Sequence, residues 1–187
     1  WLIIRMKPRK IMEIGTWTGD RALTMLKLAR RYHRAKDIDY YGFDLFGQMT
    51  KEMFVEEKSK WPPTQQEAYQ KLSATGANIH LFQGDTMEIL PEMVPGLPKM
   101  DLIFIDGGHS LKTVANDWHW ASQLMHDQTV VIFDDYWPDR TDGGAKVTVD
   151  AIDRNVYEVR NLFIGDHFKK TAFGELTIRL IAVRLKI

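Results

Sequence analysis

Cysteine is absent from all 187 residues, which rules out disulfides, thiolate zinc sites and a cysteine nucleophile. A surplus of either charge is also missing: 25 basic residues balance 25 acidic ones, for a formal net charge of zero. Non-specific polyanion binding needs a positive excess, so no nucleic-acid partner is expected, although a neutral sum can hide a local basic patch. No apolar run reaches the length of a membrane span, and the opening WLIIRMKPRK is too short for a signal peptide. These absences predict no membrane partner and, by default, a cytoplasmic protein. Trp1 stands where an initiator methionine would, which predicts further residues upstream.

The remaining composition is an ordinary globular balance, 44% hydrophobic and 27% charged. At this length it suits a single domain over residues 1–187 with one sizeable core. The runs Lys10–Ile14, Ile38–Phe43, Ile79–Phe82, Leu102–Ile105 and Val130–Phe133 read as strands apolar on both faces. Helical spacing links Ala22, Met25, Leu26, Ala29 and Tyr32, and again Leu111, Val114, Ala115, Trp118 and Met125. A short helix is expected after Gly84-Asp85, ending near Pro91, with MVPGLPKM as a loop. The polar stretch Phe46–Ala74 carries helical pieces on both sides of Pro62-Pro63. Within it, EMFVEEKSK reads as a solvated helix face.

Strands alternating with helices mean crossover units and a parallel sheet. Tyr157–Ile164 and Leu176–Leu185 are two further strand-like runs, joined by GDHFKKTAFG with no room for a helix. So short a connection requires an antiparallel pair. The expectation is a doubly wound α/β fold with seven strands, mostly parallel, and one antiparallel strand near its end.

Doubly wound sheets bind ligands at the carboxyl ends of their strands, which directs attention to EIGTWTGD after the first strand. A dinucleotide fingerprint beginning at Gly15 would put Trp17 and Asp20 where its second and third glycines belong. A phosphate loop would need Gly-Lys-Ser/Thr, and none follows. What survives is Glu13-x-Gly15-x-x-x-Gly19, a loop for a ligand that lacks phosphate and tolerates acids. S-adenosylmethionine meets both conditions. Backbone N–H groups at the helix start can take its carboxylate, Gly15 and Gly19 permit close approach, and Glu13 would lie near its ammonium. Asp44, after the second strand, is placed for the ribose hydroxyls, and Asp85, after the third, for the adenine amino group. Any one of these acids reads equally well as a helix cap or turn residue. Three at successive strand ends, beside a glycine loop, favour the ligand.

On these motifs the chain resembles the class I S-adenosylmethionine-dependent methyltransferases. In them the E-x-G-x-x-x-G loop, the acid after the second strand and the Gly-Asp after the third carry the cofactor, and an antiparallel strand pair ends the chain. The resemblance implies a Rossmann-like fold. It also implies cofactor contacts from Glu13, Gly15, Thr16, Trp17, Gly19, Asp44, Leu45, Gly84, Asp85, Thr86 and Asp106.

LIFIDGGHSLKTVANDW and VVIFDDYWPD end the fourth and fifth strands at the same edge. Asp106, Asp134 and Asp135 are placed to converge on one hard divalent cation, and an all-oxygen set suits Mg2+, Mn2+ or Ca2+. Methyl transfer to oxygen needs an activated hydroxyl. A cation would lower its pKa, or His109 would take the proton as general base. His109, Asp106 and Asp134 are therefore the catalytic candidates. Alternatively, Asp106 caps the next helix and Asp134 touches the cofactor or the loop backbone. Ile105-Asp106-Gly107-Gly108-His109-Ser110 and Asp134-Asp135 resemble the I-D-G-x-H-S and D-D signatures of small-molecule O-methyltransferases, including macrolide-modifying members.

Trp137 is a candidate wall for the acceptor, a small hydroxylated substrate such as a sugar or natural-product intermediate. Its cover would come from Leu45–Thr64, from Tyr136–Lys146, or from a second copy in a homo-oligomer. Two other functions stay open: a methyltransferase with an RNA or protein acceptor, and a non-catalytic module that binds the cofactor as a sensor.

Overall fold

Alternate side chains of the short apolar runs are wanted on opposite faces, and this makes the runs strands. In β1 (Lys10–Ile14), Met12 and Ile14 enter one hydrophobic layer and Ile11 the other. The computed structural model describes residues 1–57, 60–171 and 174–187. The end of the EMFVEEKSK run at Lys58 and Ser59, and Ala172-Phe173 of the GDHFKKTAFG connection, lie outside the described residues.

The further strands are β2 (Asp39–Asp44), β3 (Asn78–Gln83), β4 (Leu102–Ile105), β5 (Val130–Tyr136), β6 (Tyr157–Asn161), β7 (His167–Thr171), β8 (Gly174–Thr177) and β9 (Arg179–Leu185). Seven of them form one sheet in the order β3-β2-β1-β4-β5-β9-β6. Only β9 runs against its neighbours, pairing antiparallel with both β5 and β6. The doubly wound sheet with one late antiparallel strand is therefore as expected.

The helices are α1 (Leu2–Met6), α2 (Asp20–Ala29), α3 (Lys51–Glu56), α4 (Gln65–Ser73), α5 (Thr86–Met93), α6 (Leu111–Ser122) and α7 (Lys146–Asp150). α2 presses Ala22, Met25, Leu26 and Ala29 onto one face of the sheet, joined by Leu72 of α4. Leu90 of α5, Val114 and Ala121 of α6 and Val149 of α7 cover the other. Each large apolar side chain so buried contributes roughly 1.5–3 kcal/mol.

Register positions the site. Ile14 pairs with Phe43 of β2 and with Ile105 of β4, so Gly15, Asp44 and Asp106 leave the sheet at one rim. That rim is where strand order reverses, between β1 and β4, the crevice such sheets use for ligands.

The structure departs from expectation at several places: β6 ends at Asn161 rather than Ile164, and α6 at Ser122 rather than Met125. α2 stops at Ala29 rather than Tyr32, because Tyr32 is exposed and has no core to reach. β5 continues beyond Phe133 through Asp134 and Asp135, with a register shift against β9 before Tyr136. The strand expected over Leu176–Leu185 breaks at Ile178, whose N–H and carbonyl both pair with Asp166. The connection before it is a β7–β8 hairpin that forms its own small sheet.

Candidate active site

The turn after β1 is held tightly against β4. Gly15 has φ +91, and a Cβ there would sit 1.9 Å from the Asp106 carbonyl oxygen. No L-side chain fits that spot. Trp17 is also left-handed, with φ 45; its N–H donates to Asp44 Oδ2 at 2.7 Å and its indole N–H to the Trp61 carbonyl at 3.0 Å. Gly19 starts α2.

One cavity of about 720 Å³ opens along this rim. Gly15, Trp17, Asp44 and Leu45 line one part, and Gly84, Asp85 and Thr86 another. Asp106, His109, Asp135 and Trp137 form a third wall. The expected cover over Leu45–Thr64 is present in Met49, Met53 and Pro62, and Phe168, Leu176 and Ile178 arrive from the β7–β8 hairpin and the residue after it. Nothing in the sequence marked that last contribution, since the hairpin read as a loop.

Four expected residues stand apart from this lining. Glu13 is fully buried behind the loop, where it accepts a short hydrogen bond from Tyr40. Burial outweighs that bond and the nearby Arg21 and pushes its carboxyl up to about 8; Oε1 has no hydrogen-bond partner among the described residues. Thr16 is buried with its hydroxyl 3.1 Å from Tyr40 Oη. Gly19 serves the start of the helix. Asp134 is engaged elsewhere: Oδ2 accepts from Arg21 at 3.0 Å and Oδ1 from the Asp135 N–H at 2.8 Å.

Asp44 keeps both oxygens on backbone donors, Trp17 N–H and Phe46 N–H, yet burial raises its pKa. Asp85 caps α5 through the Met87 N–H at 2.9 Å while also facing the cavity. Asp106 is not a cap; Ser110 takes that role for α6, accepting from the Thr113 N–H at 3.3 Å.

The acid cluster closes around His109. Its Nε2 lies 2.7 Å from Asp135 Oδ2, and its ring stacks on Trp137 at 5.7 Å. Burial opposes a charge on the imidazole, but the Asp135 carboxylate outweighs it and carries the pKa to about 9. Burial likewise opposes ionisation of Asp135, and His109 holds it below the ordinary carboxylate range. Asp106 is pushed up to about 7 by burial, against the pull of Arg21. Asp135 has φ 51 inside the irregular end of β5, the kind of bulge that re-aims side chains beside active sites.

Ligand atoms of Asp106, His109 and Asp135 all lie within 4.8 Å of one another. The expected trio of Asp106, Asp134 and Asp135 is thus rearranged, with His109 in the place of Asp134. The physical reason is that both Asp134 oxygens are engaged, Oδ2 by Arg21 and Oδ1 by the Asp135 N–H, whereas Arg21, resting over the Phe104 ring at 4.2 Å, meets Asp106 through Oδ2 alone. Sequence reasoning missed Arg21, because its partners are 85 and 113 positions away. It also misread Glu57, whose solvated helix face is in fact docked on Ser110 and Thr113.

The sequence profile of the methyltransferase-domain family matches residues 12–136, from the first buried strand to the bulged end of β5. The chain belongs to that family. No curated protein matches the methyltransferase's sequence significantly, but many solved structures share its fold. The O-methyltransferase TomG from Streptomyces achromogenes, involved in tomaymycin synthesis and solved with SAM, superposes with a TM-score of 0.66 at 18% identity. The match covers 98% of this chain and 76% of TomG. The O-methyltransferase from Bacillus cereus, solved with SAH, gives 0.60 at 14% identity over 98% of this chain and 77% of its own. SAH-bound PaMTH1 from Podospora anserina gives 0.63 at 17% identity, covering 100% and 75%. No helix among the described residues is long and apolar enough to cross a membrane.

Proposed function

We propose that this methyltransferase moves a methyl group from S-adenosylmethionine to a hydroxyl oxygen of a small molecule, assisted by a divalent cation. The observation that carries the reading is one cavity shared by the glycine loop, Asp44, Asp85 and the Asp106–His109–Asp135 cluster. TomG, solved with SAM, and the Bacillus cereus enzyme, solved with SAH, share the fold and support the choice of cofactor.

The donor set fits both groups. Acids rather than a phosphate cradle line the loop side, as a cationic sulfur and ribose hydroxyls require. Asp44 retains free lone pairs on oxygens already oriented by backbone donors. Two carboxylates suit Mg2+, Mn2+ or Ca2+, and the imidazole makes the set less purely hard than the expected all-oxygen trio. Asp106, His109 and Asp135 would hold that ion, with Asp106 also paired to Arg21 and Asp134 held by Arg21 and the Asp135 N–H. When bound, the cofactor supplies an electrophilic methyl group and the cation lowers the pKa of the acceptor hydroxyl.

The alternative base is His109 alone; the Asp135 carboxylate outweighs burial and raises its pKa to about 9, favouring the charged imidazolium, which weighs against that role. His109 Nε2 and Asp135 Oδ2 share a hydrogen bond at 2.7 Å, and a cation held by both would require that proton to leave. Trp137 and the apolar residues of the hairpin line the cavity where they would align the acceptor and exclude water.

The test is transfer of labelled methyl from S-adenosylmethionine into pooled hydroxylated metabolites, with and without excess chelator. Label entering small molecules only when Mn2+ or Mg2+ is present is the expected result. Equal transfer in chelator removes the cation from the reading; no transfer, with no binding of S-adenosylhomocysteine, removes the reading altogether.

A further inference from the structure

Glu57 follows α3 and reaches across to the first turn of α6. Its carboxylate accepts three hydrogen bonds there: from the Ser110 N–H at 2.9 Å, Ser110 Oγ at 2.9 Å and Thr113 Oγ1 at 2.7 Å. A carboxylate is favoured at this end of a helix by the unpaired N–H groups and the dipole. The backbone carbonyl of the same residue meets His109, 2.7 Å from Nδ1 and 3.3 Å from the His109 backbone N. A carbonyl oxygen has no proton to give, so Nδ1 must carry one and donate it.

That bond settles which ring nitrogen does what. With Nδ1–H committed to Glu57, Nε2 is the atom turned to Asp135 and the cavity. The chain also makes room for the arrangement. A Cβ at Gly108 would lie 2.2 Å from Glu57 Oε2 and 2.9 Å from Thr113 Cγ2, so a side chain there would push the carboxylate from its place.

We infer that Glu57 is a positioning residue for His109. Its carboxylate, anchored on α6, seats its own carbonyl against Nδ1 and so presents Nε2 to the reacting site. The inference rests on His109 belonging to that site, as argued under Proposed function. It assigns the residue after α3 a task beyond capping: the segment that roofs the cavity also keeps a proton on Nδ1 and sets the tilt of the imidazole. Outer partners of this kind orient a histidine and raise its basicity as a ligand.

The experiment is nitrogen-15 NMR of the histidine rings in the full chain, together with Mn2+ titration. In the wild type, His109 Nδ1–H should give a downfield resonance that exchanges slowly with water and is assigned by its ring couplings. Glu57→Ala and Gly108→Ala should each lose that resonance and raise the Mn2+ dissociation constant roughly 10- to 100-fold. Glu57→Gln, which keeps one acceptor oxygen, should recover part of both. A cap without a positioning role would leave the Nδ1 resonance in place. If Glu57→Ala does not fold, Thr113→Val, which deletes one donor to the carboxylate, should weaken the same resonance. A resonance and Mn2+ affinity unchanged in folded variants overturn the inference. If the wild type binds no Mn2+, the cation reading falls, and the Nδ1 resonance alone decides the role of Glu57.

Discussion

A buried carboxylate with too few partners resists ionisation, and Asp117 of α6 is such a group. It is fully buried, its Oδ2 has no hydrogen-bond partner among the described residues, and burial pushes its pKa up to about 7. The unfolded chain releases this proton near the ordinary value of 3.8. Between those two values the folded state holds a proton that the unfolded state has lost, so stability falls as pH rises through the window. Asp117→Asn should therefore melt several degrees above the wild type at about pH 8 and close to it at about pH 3.5. Parallel melting curves of the two proteins across that range would show that the carboxyl is not strained by its burial. The acids at the rim, Asp44, Asp106 and Asp135, and Glu13 buried behind it, were all visible in the sequence at or near strand ends. Their protonation was not, because it depends on desolvation and on partners distant in the chain.

At the scale of elements, the turn between β1 and α2 carries the tightest constraint. Gly15→Ala must place a methyl where the Asp106 carbonyl already stands, and it must also hold φ +91. A left-handed alanine costs about 1–2 kcal/mol and overpacking about 1–3 kcal/mol more. The expected outcome is a stability loss of about 2–5 kcal/mol by urea denaturation; an unchanged midpoint would mean that the turn can rotate away from β4. Glycine spacing made this turn legible, as Pro62-Pro63 made the break between α3 and α4 legible. The β7–β8 hairpin was not, because His167–Thr171 shows no apolar alternation to mark a strand and is placed by its pairing with β8. The bulged end of β5 escaped for a similar reason: the apolar run stops at Phe133, while the strand is prolonged by its pairing with β9.

For the whole molecule, the cavity joins segments from both halves of the sheet, so filling it links ligand affinity to global stability. A ligand present at a hundred times its dissociation constant stabilises the fold by about 2.7 kcal/mol, which for a chain of this size is a rise in Tm of roughly 5–10 °C. S-adenosylhomocysteine should produce that shift in a thermal melt, and Asp44→Ala should diminish it at the same ligand concentration. A shift of equal size in the variant would remove Asp44 from the ribose contacts.

Local pattern carried the alternation of strands and helices, the glycine loop, the acids at the rim and the antiparallel close of the sheet. Each of these is a preference of neighbouring residues for a period, a turn or a burial, and neighbours are what a sequence displays. Packing chose the partners within the site: Arg21 for Asp106 and Asp134, His109 for Asp135, Glu57 for His109. Charges so far apart in the chain are matched only when the sheet brings its strand ends to one edge, and burial there sets which of them keeps a proton.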